Sequence, residues 1–568
     1  MPDRSSDPQA YRRHRDSDTL KAMARNLDTD LATLRQVLAY AEQRDFPRAA
    51  ALANATLASG FEHPLLLNVV ATQCETEGRY EDSLRLLERA VRIAPRDIGA
   101  RSALSLCLQR LERPAEALAH VDELLRQHPE LGFAHANRGN ALIALGALGQ
   151  ARLSHLRALE LEPGNLAATV ALASIASHRG EHAAARQYAE QALAQAPGFP
   201  DAVLSLAAAE LAAGEFGRAE TLLHGLMLDS RAGRLDKARA SGLLGDVLDA
   251  MGRYAEAFAS YSDCNEALRH YYSRYAEGTS ILAYTRALSE TLDRLGERDL
   301  TATPPADIGA ATQGPAAGHV FLLGFPRSGT TLLEVVLEGH PAIVTSEEHE
   351  LLTDGVLRYM REPLDLAPLA GAGDADLAPL REAYWAGVRR AGLNVAGKVF
   401  LDKHPMHTLK LPLIARLFPE AKILFALRDP RDVVLGCFRR RFLMNPAMYQ
   451  FLTLPGAADF YAAVMQFAAQ AKPLIAMPWR EVRYERLVAD LAAETRAICD
   501  FIGLDWVEGL DRFAERTQPR ERATPSSAQL SQGLFRSAQD PWRGYADALA
   551  PVLPALLPWV LRLGYAAD

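Results

Sequence analysis

At 568 residues the chain is too long for a single hydrophobic core and points to two or more domains. Its 49% hydrophobic and 23% charged residues are those of an ordinary soluble globular protein, and a formal net charge of -8 argues against bulk nucleic-acid binding. Five scattered cysteines without CxxC spacing argue against a disulfide framework or a zinc site and fit a reducing compartment, with the cytoplasm as the expected location.

Residues 1–27 are charged and polar and read as a flexible leader with no signal-peptide character. No run in the chain suggests the roughly 18–20 apolar residues of a membrane span. Beyond the leader the sequence repeats itself. Pro95, Pro129, Pro163 and Pro197 fall 34 residues apart. Gly78, Gly146, Gly180 and Gly214 share one register, with Glu112 filling the missing step. Five residues after each stands a small residue: Ser83, Ala117, Ala151, Ala185 and Ala219. A further unit carries Gly252 and Ala257.

This period resembles the tetratricopeptide repeat. Glycine permits the turn between two helices, the small residue lets them approach, and proline ends the second. Stacking buries faces that one helix pair would leave exposed. The reading is an all-α superhelix over residues 28–295, closed by a capping helix after about residue 272. Such arrays present a groove to a peptide or protein, or serve as a scaffold or homodimer surface. Asn137 is the only asparagine at its repeat position, so no ladder for gripping an extended peptide is visible.

Residues 296–318 have the Pro, Gly, Ala and Thr content of a linker. From 319 to 568, short apolar runs at 319–325, 398–403, 421–427 and 480–484 alternate with helical segments. That alternation implies an α/β domain with a parallel sheet, whose ligands bind at the carboxyl ends of the strands.

The first strand runs into Gly324-Phe325-Pro326-Arg327-Ser328-Gly329-Thr330-Thr331 and then an apolar-periodic helix. A glycine-rich turn entering a helix N-terminus points backbone N–H groups at an anion. The layout is P-loop-like, but Thr330 stands where a nucleotide P-loop has lysine, which argues against a P-loop kinase. Further on come Ser346-Glu347-Glu348, then LDKHPMHTLK at 401–410, and AKILFALRDPRDVVLGCFRRRF at 421–442.

On these motifs, residues 319–545 resemble the tyrosylprotein sulfotransferases and their bacterial repeat-fused relatives. The resemblance implies transfer of a sulfuryl group from 3′-phosphoadenosine-5′-phosphosulfate to an acceptor hydroxyl, with adenosine 3′,5′-bisphosphate as product and no metal. A protein tyrosine is the acceptor class the family suggests. The resemblance also implies roles. Arg327, Ser328, Gly329, Thr330 and Thr331 hold the 5′-phosphosulfate, and Arg327 also stabilises the moving group. Glu348 is the base, with His349 a mismatched substitute, and Lys403 supports the leaving phosphate. Arg428 grips the 3′-phosphate, while Tyr484 and Ser526 contact the nucleotide.

One departure stands out. The family's serine eight residues after Arg428 is Gly436 here, which removes a hydroxyl worth about 0.5–1.5 kcal/mol. Cys437 falls on another helical face, and Arg440 is the expected compensating phosphate contact. Gln532 stands where animal relatives carry lysine, with Arg536 as a substitute charge, and Trp542 and Arg543 are expected to anchor by packing. The alternative reading is a repeat scaffold whose transferase domain is inactive.

Overall fold

The structure, a computed structural model, describes residues 30–43, 45–111, 113–276, 280–295, 314–513 and 540–567. The leader and residues 296–313 of the expected linker lie outside these. The described residues divide into two compact units, cut between Leu172 and Ala173.

In the first unit, antiparallel helix pairs follow the 34-residue period: Pro64–Thr76 with Tyr80–Ile93, Ile98–Arg110 with Pro114–Gln127, and Gly132–Ala144 with Leu148–Leu161. The second helices end at Ile93, Gln127 and Leu161, two residues before Pro95, Pro129 and Pro163. Gly78 and Gly146 turn the chain at φ 77° each, a conformation that glycine adopts without a Cβ penalty. Ser83, Ala117 and Ala151 are fully buried where paired helices meet. Spacing legible in the sequence thus becomes helix contact.

The second unit continues the repeats through His182–Gln195, Pro200–Ala212 and Phe216–Leu228 to α1 (Arg234–Ala250) and α2 (Tyr254–Tyr271). The capping helix is α3 (Ile281–Leu295). The unit also holds the sheet: β1 (Gly318–Leu323), β2 (Ile343–Thr345), β3 (Val399–Lys403), β4 (Lys422–Leu427) and β5 (Trp479–Arg483). The strand order is β2-β3-β1-β4-β5, and every pairing is parallel. β2 is the strand that sequence reading did not name; three residues give too short an apolar run to separate from a loop.

Alternation along the strands buries both faces of the sheet. Phe321, Leu323, Phe400 and Phe425 join one core, while Val320, Leu322, Leu401 and Leu424 join the other. Leu288 and Leu292 of α3 share the first core, which extends to the helix Leu454–Ala471. One stretch, Pro541–Arg562, is long and apolar enough to cross a membrane by length and composition alone. Its Leu549, Val552, Leu556 and Val560 are buried in this unit, as in the core helix of a globular domain.

Candidate active site

At the end of β1, Gly324 takes φ 153°, and a Cβ there would lie 2.7 Å from Ser328 Oγ and 2.8 Å from the Ala426 carbonyl oxygen. Only glycine fits. Thr408 pins the turn from the next layer: its hydroxyl donates to the Gly324 carbonyl at 2.6 Å and accepts from the Gly324 N–H at 3.1 Å. Arg327 is held in the left-handed region at φ 73°, a strain of about 1–2 kcal/mol for a residue with a Cβ. Gly329, at φ 98°, then opens the helix α4 (Thr330–Glu338). A Cβ on Gly329 would lie 2.7 Å from the Tyr484 ring, so that ring lies close against the loop where α4 begins.

The side chains of Ser328, Thr330 and Thr331 are buried around this N-terminus. Ser328 Oγ has no hydrogen-bond partner among the described residues. A buried hydroxyl without a partner costs free energy unless a ligand or water completes it. Here it lies in the loop that leads into a helix N-terminus, where an anion is favoured.

Cations converge on the same place. Arg428 follows β4, with its guanidinium carbon 4.3 Å from the Tyr484 ring centroid and its Nη2 3.3 Å from Asp432 Oδ2. The helix α5 (Pro430–Phe438) starts from an Asp429 cap, whose carboxylate accepts from the Arg431 N–H at 2.8 Å. Just past α5, Arg440 reaches Asp246 of α1 at 3.7 Å. Burial, and then the charges of Arg440 and Arg428, push Arg327 below the ordinary guanidinium range. Arginine nevertheless remains protonated at neutral pH, so an anion bound here would be favoured by all three charges.

The Gly436 departure has a steric meaning. A Cβ at 436 would stand 3.3 Å from Arg327 Cβ and 3.5 Å from its Cγ, so the missing side chain is the space against which Arg327 rests. Cys437 does point elsewhere, with its thiol 3.4 Å from the Pro326 carbonyl it supports.

On the other side of β1, Ser346-Glu347-Glu348 follows β2 in a sharp turn. Glu347 and Glu348 take φ 46° and 64°, both left-handed. Ser346 Oγ accepts from the Lys403 N–H at 2.8 Å and stands 3.2 Å from Asp402 Oδ1, which ties the turn to the end of β3. Lys403 is fully buried and bridges two acids: its Nζ is 2.5 Å from Glu348 Oε1 and 3.1 Å from Glu334 Oε2. Glu334 lies on α4, is fully buried, and accepts from the Glu347 N–H at 3.2 Å. His349 turns away from the pair, with Nδ1 2.5 Å from the Ser346 carbonyl oxygen.

The residues expected from the sequence therefore meet in two groups. Arg327, Ser328, Gly329, Arg428 and Tyr484 surround the start of α4, with Arg440 near enough to act on Arg327 through its charge. Lys403 and Glu348 form an ion pair at adjacent strand ends. Ser526, Gln532 and Arg536 lie outside the described residues. Trp542 packs as expected, beneath the Arg431 guanidinium at 3.8 Å, and Arg543, though exposed, lies over the same ring at 4.9 Å and pairs with Asp540 at 3.5 Å. Sequence reading missed Glu334, Ser346 and Thr408. An acid inside an apolar-periodic helix was the one available sign of Glu334.

Residues 319–508 match the sulfotransferase family. Residues 34–98, 76–136 and 176–241 match tetratricopeptide repeat families. An uncharacterized protein of Aquifex aeolicus is 26% identical over 43% of this chain and 32% of its own length. Protein-tyrosine sulfotransferase A of Caenorhabditis elegans is 24% identical over 43% of this chain and 67% of its own. Protein-tyrosine sulfotransferase 2 of Gallus gallus is 25% identical over 43% and 69%. The chain thus spans about a third of the Aquifex protein and about two thirds of the two sulfotransferases. It joins tetratricopeptide repeats to a sulfotransferase-family domain and resembles the protein-tyrosine sulfotransferases.

Proposed function

We propose that this chain transfers a sulfuryl group from 3′-phosphoadenosine-5′-phosphosulfate to an acceptor hydroxyl. The observation that carries the reading is Arg327 in the loop and Arg428 over the Tyr484 ring beside it, with Arg440 acting on Arg327 through its charge, next to a buried Ser328 hydroxyl that has no partner among the described residues, at the N-terminus of α4. Two anionic ends of one ligand would satisfy both. Ser328, Gly329, Thr330, Thr331 and Arg327 would hold the 5′ end, and Arg428, Arg440 and Tyr484 the 3′ end. The donor supplies an activated sulfuryl group when bound.

The chain's own residues supply the rest. Glu348 accepts the proton of the acceptor hydroxyl. Lys403 keeps positive charge beside the leaving oxygen, where its value rises as charge develops. Glu334 makes the pair workable: when Glu348 becomes neutral, the buried ammonium still has a carboxylate at 3.1 Å. The names of the relatives support a protein tyrosine as acceptor, and the repeat array supports a peptide or protein as its carrier. The inactive-scaffold alternative rested on Gly436, and the room that glycine leaves for Arg327 favours an active site instead.

Glu348→Ala should lower transfer by about 10²–10⁴-fold. Its affinity for adenosine 3′,5′-bisphosphate should stay that of the parent, which also reports a folded site. Full turnover by that variant would place the base elsewhere.

A further inference from the structure

The turn after β4 is gripped from outside its own motif, and one pair of neighbours holds Arg428 at two points. The Tyr484 ring lies 4.3 Å from its guanidinium carbon. Glu485, the next residue, fixes its backbone: Glu485 Oε1 accepts from the Asp429 N–H at 3.1 Å. That N–H belongs to the planar peptide group that follows Arg428, so the carboxylate helps set the direction in which the Arg428 side chain leaves the chain.

Glu485 is itself tied down by a residue far along the sequence. Its second oxygen, Oε2, accepts from the Tyr565 hydroxyl at 2.9 Å. The residues beside Tyr565 are anchored to the same turn. Arg431 donates from Nη2 to the Ala566 carbonyl at 2.8 Å and from Nη1 to the Ala567 carbonyl at 3.3 Å. The buried Asp429 carboxylate fixes the plane of that guanidinium, accepting from Nε at 3.1 Å and from Nη2 at 2.7 Å.

A second line reaches Arg428 through Trp542. Its N–H donates to Asp432 Oδ1 at 3.0 Å, while Asp432 Oδ2 stands 3.3 Å from Arg428 Nη2. Both lines run through a carboxylate, which makes the stronger and more directional kind of hydrogen bond. Both end at Arg428, one at its peptide group and the other at its guanidinium.

We propose, resting on the reading of Arg428 as the 3′-phosphate contact, that Tyr565 is a positioning residue for that contact. Acting through Glu485, it sets the preference of the donor site for an adenine nucleotide with a 3′-phosphate over one without it.

Calorimetry on the full chain compares adenosine 3′,5′-bisphosphate with adenosine 5′-monophosphate, which differ by that phosphate alone. The ratio of their dissociation constants is the readout, since a general loosening of the fold would weaken both ligands and leave the ratio where it was. Tyr565→Phe keeps the ring that packs 5.4 Å from the Arg483 guanidinium carbon. It should lower the preference for the bisphosphate by about fivefold, within the coupling found inside one hydrogen-bond network. Glu485→Ala should lower it at least as far. In the double variant the tyrosine change should add nothing, because the hydroxyl has lost the group through which it acts. If Glu485→Ala does not fold, Tyr565→Phe alone decides. An unchanged ratio in Tyr565→Phe, or additive losses in the double variant, would overturn the role of Tyr565 while leaving Arg428 its own. A wild type that binds both nucleotides equally, or neither, would instead remove the 3′-phosphate reading of Arg428, and the role of Tyr565 with it.

Discussion

Gly436 and Glu334 carry opposite lessons about single residues. Gly436 reads in the sequence as a loss, one hydroxyl fewer for a phosphate. In the structure it is the seat of Arg327, whose backbone is held left-handed and whose Cβ therefore has little freedom to move. Gly436→Ser should accordingly reduce affinity for adenosine 3′,5′-bisphosphate, by up to about tenfold, because a Cβ at 3.3 Å must displace Arg327 before the new hydroxyl can help. Calorimetry on the variant decides it. A gain in affinity would mean that α5 yields and that the hydroxyl was the missing contact. Glu334 was illegible because its partner Lys403 comes from a strand distant in sequence, and only the fold brings a buried acid on α4 to it. Arg327, Ser328, Lys403 and Arg428 could be read because their chemistry sits in local motifs at strand ends.

At the level of elements, the repeat helices were legible because each boundary is set locally, by a glycine turn and a proline stop. Their packing was not. Gly139 has no room for a Cβ, since one would lie 2.4 Å from the His155 ring. That ring is fully buried, and neither nitrogen has a hydrogen-bond partner among the described residues. Burial lowers the His155 pKa to about 4. Between about 6.5 and 4 the unfolded chain takes up a proton that the folded chain refuses, so stability falls as pH drops through that window. The contribution reaches about 3 kcal/mol at the acid end, at 1.36 kcal/mol per pKa unit. Denaturant unfolding at pH 7 and pH 4.5 should therefore show a larger loss for wild type than for His155→Leu. Equal losses would mean that the ring finds solvent or a partner. Among the strands, β1, β3, β4 and β5 announced themselves as apolar runs. β2 was hidden by its length, and the turn after it carries Glu348.

At the scale of the whole molecule, composition marks a change of character near residue 319, while the compact unit begins at Ala173. The reason lies in contacts that composition cannot show. Asp246 and Asp249, one turn apart on α1, meet Arg439, Arg440 and Arg441 at the end of α5. Asn265 of α2 donates to the Phe438 carbonyl at 2.9 Å and so satisfies the end of the same helix. Tyr261 donates to Asp246 at 3.0 Å. The last repeats thus hold the helix that seats Arg327 and position Arg440 toward the expected 3′-phosphate contact. In this unit the array is part of the support of the proposed donor site. The most direct test of the account is calorimetric binding of adenosine 3′,5′-bisphosphate to the full chain, set beside ATP with magnesium. Saturable binding of the bisphosphate, with ATP much weaker, is the predicted result. ATP binding as tightly as the bisphosphate, or neither binding, would contradict a phosphosulfate donor site at Arg327, Ser328 and Arg428.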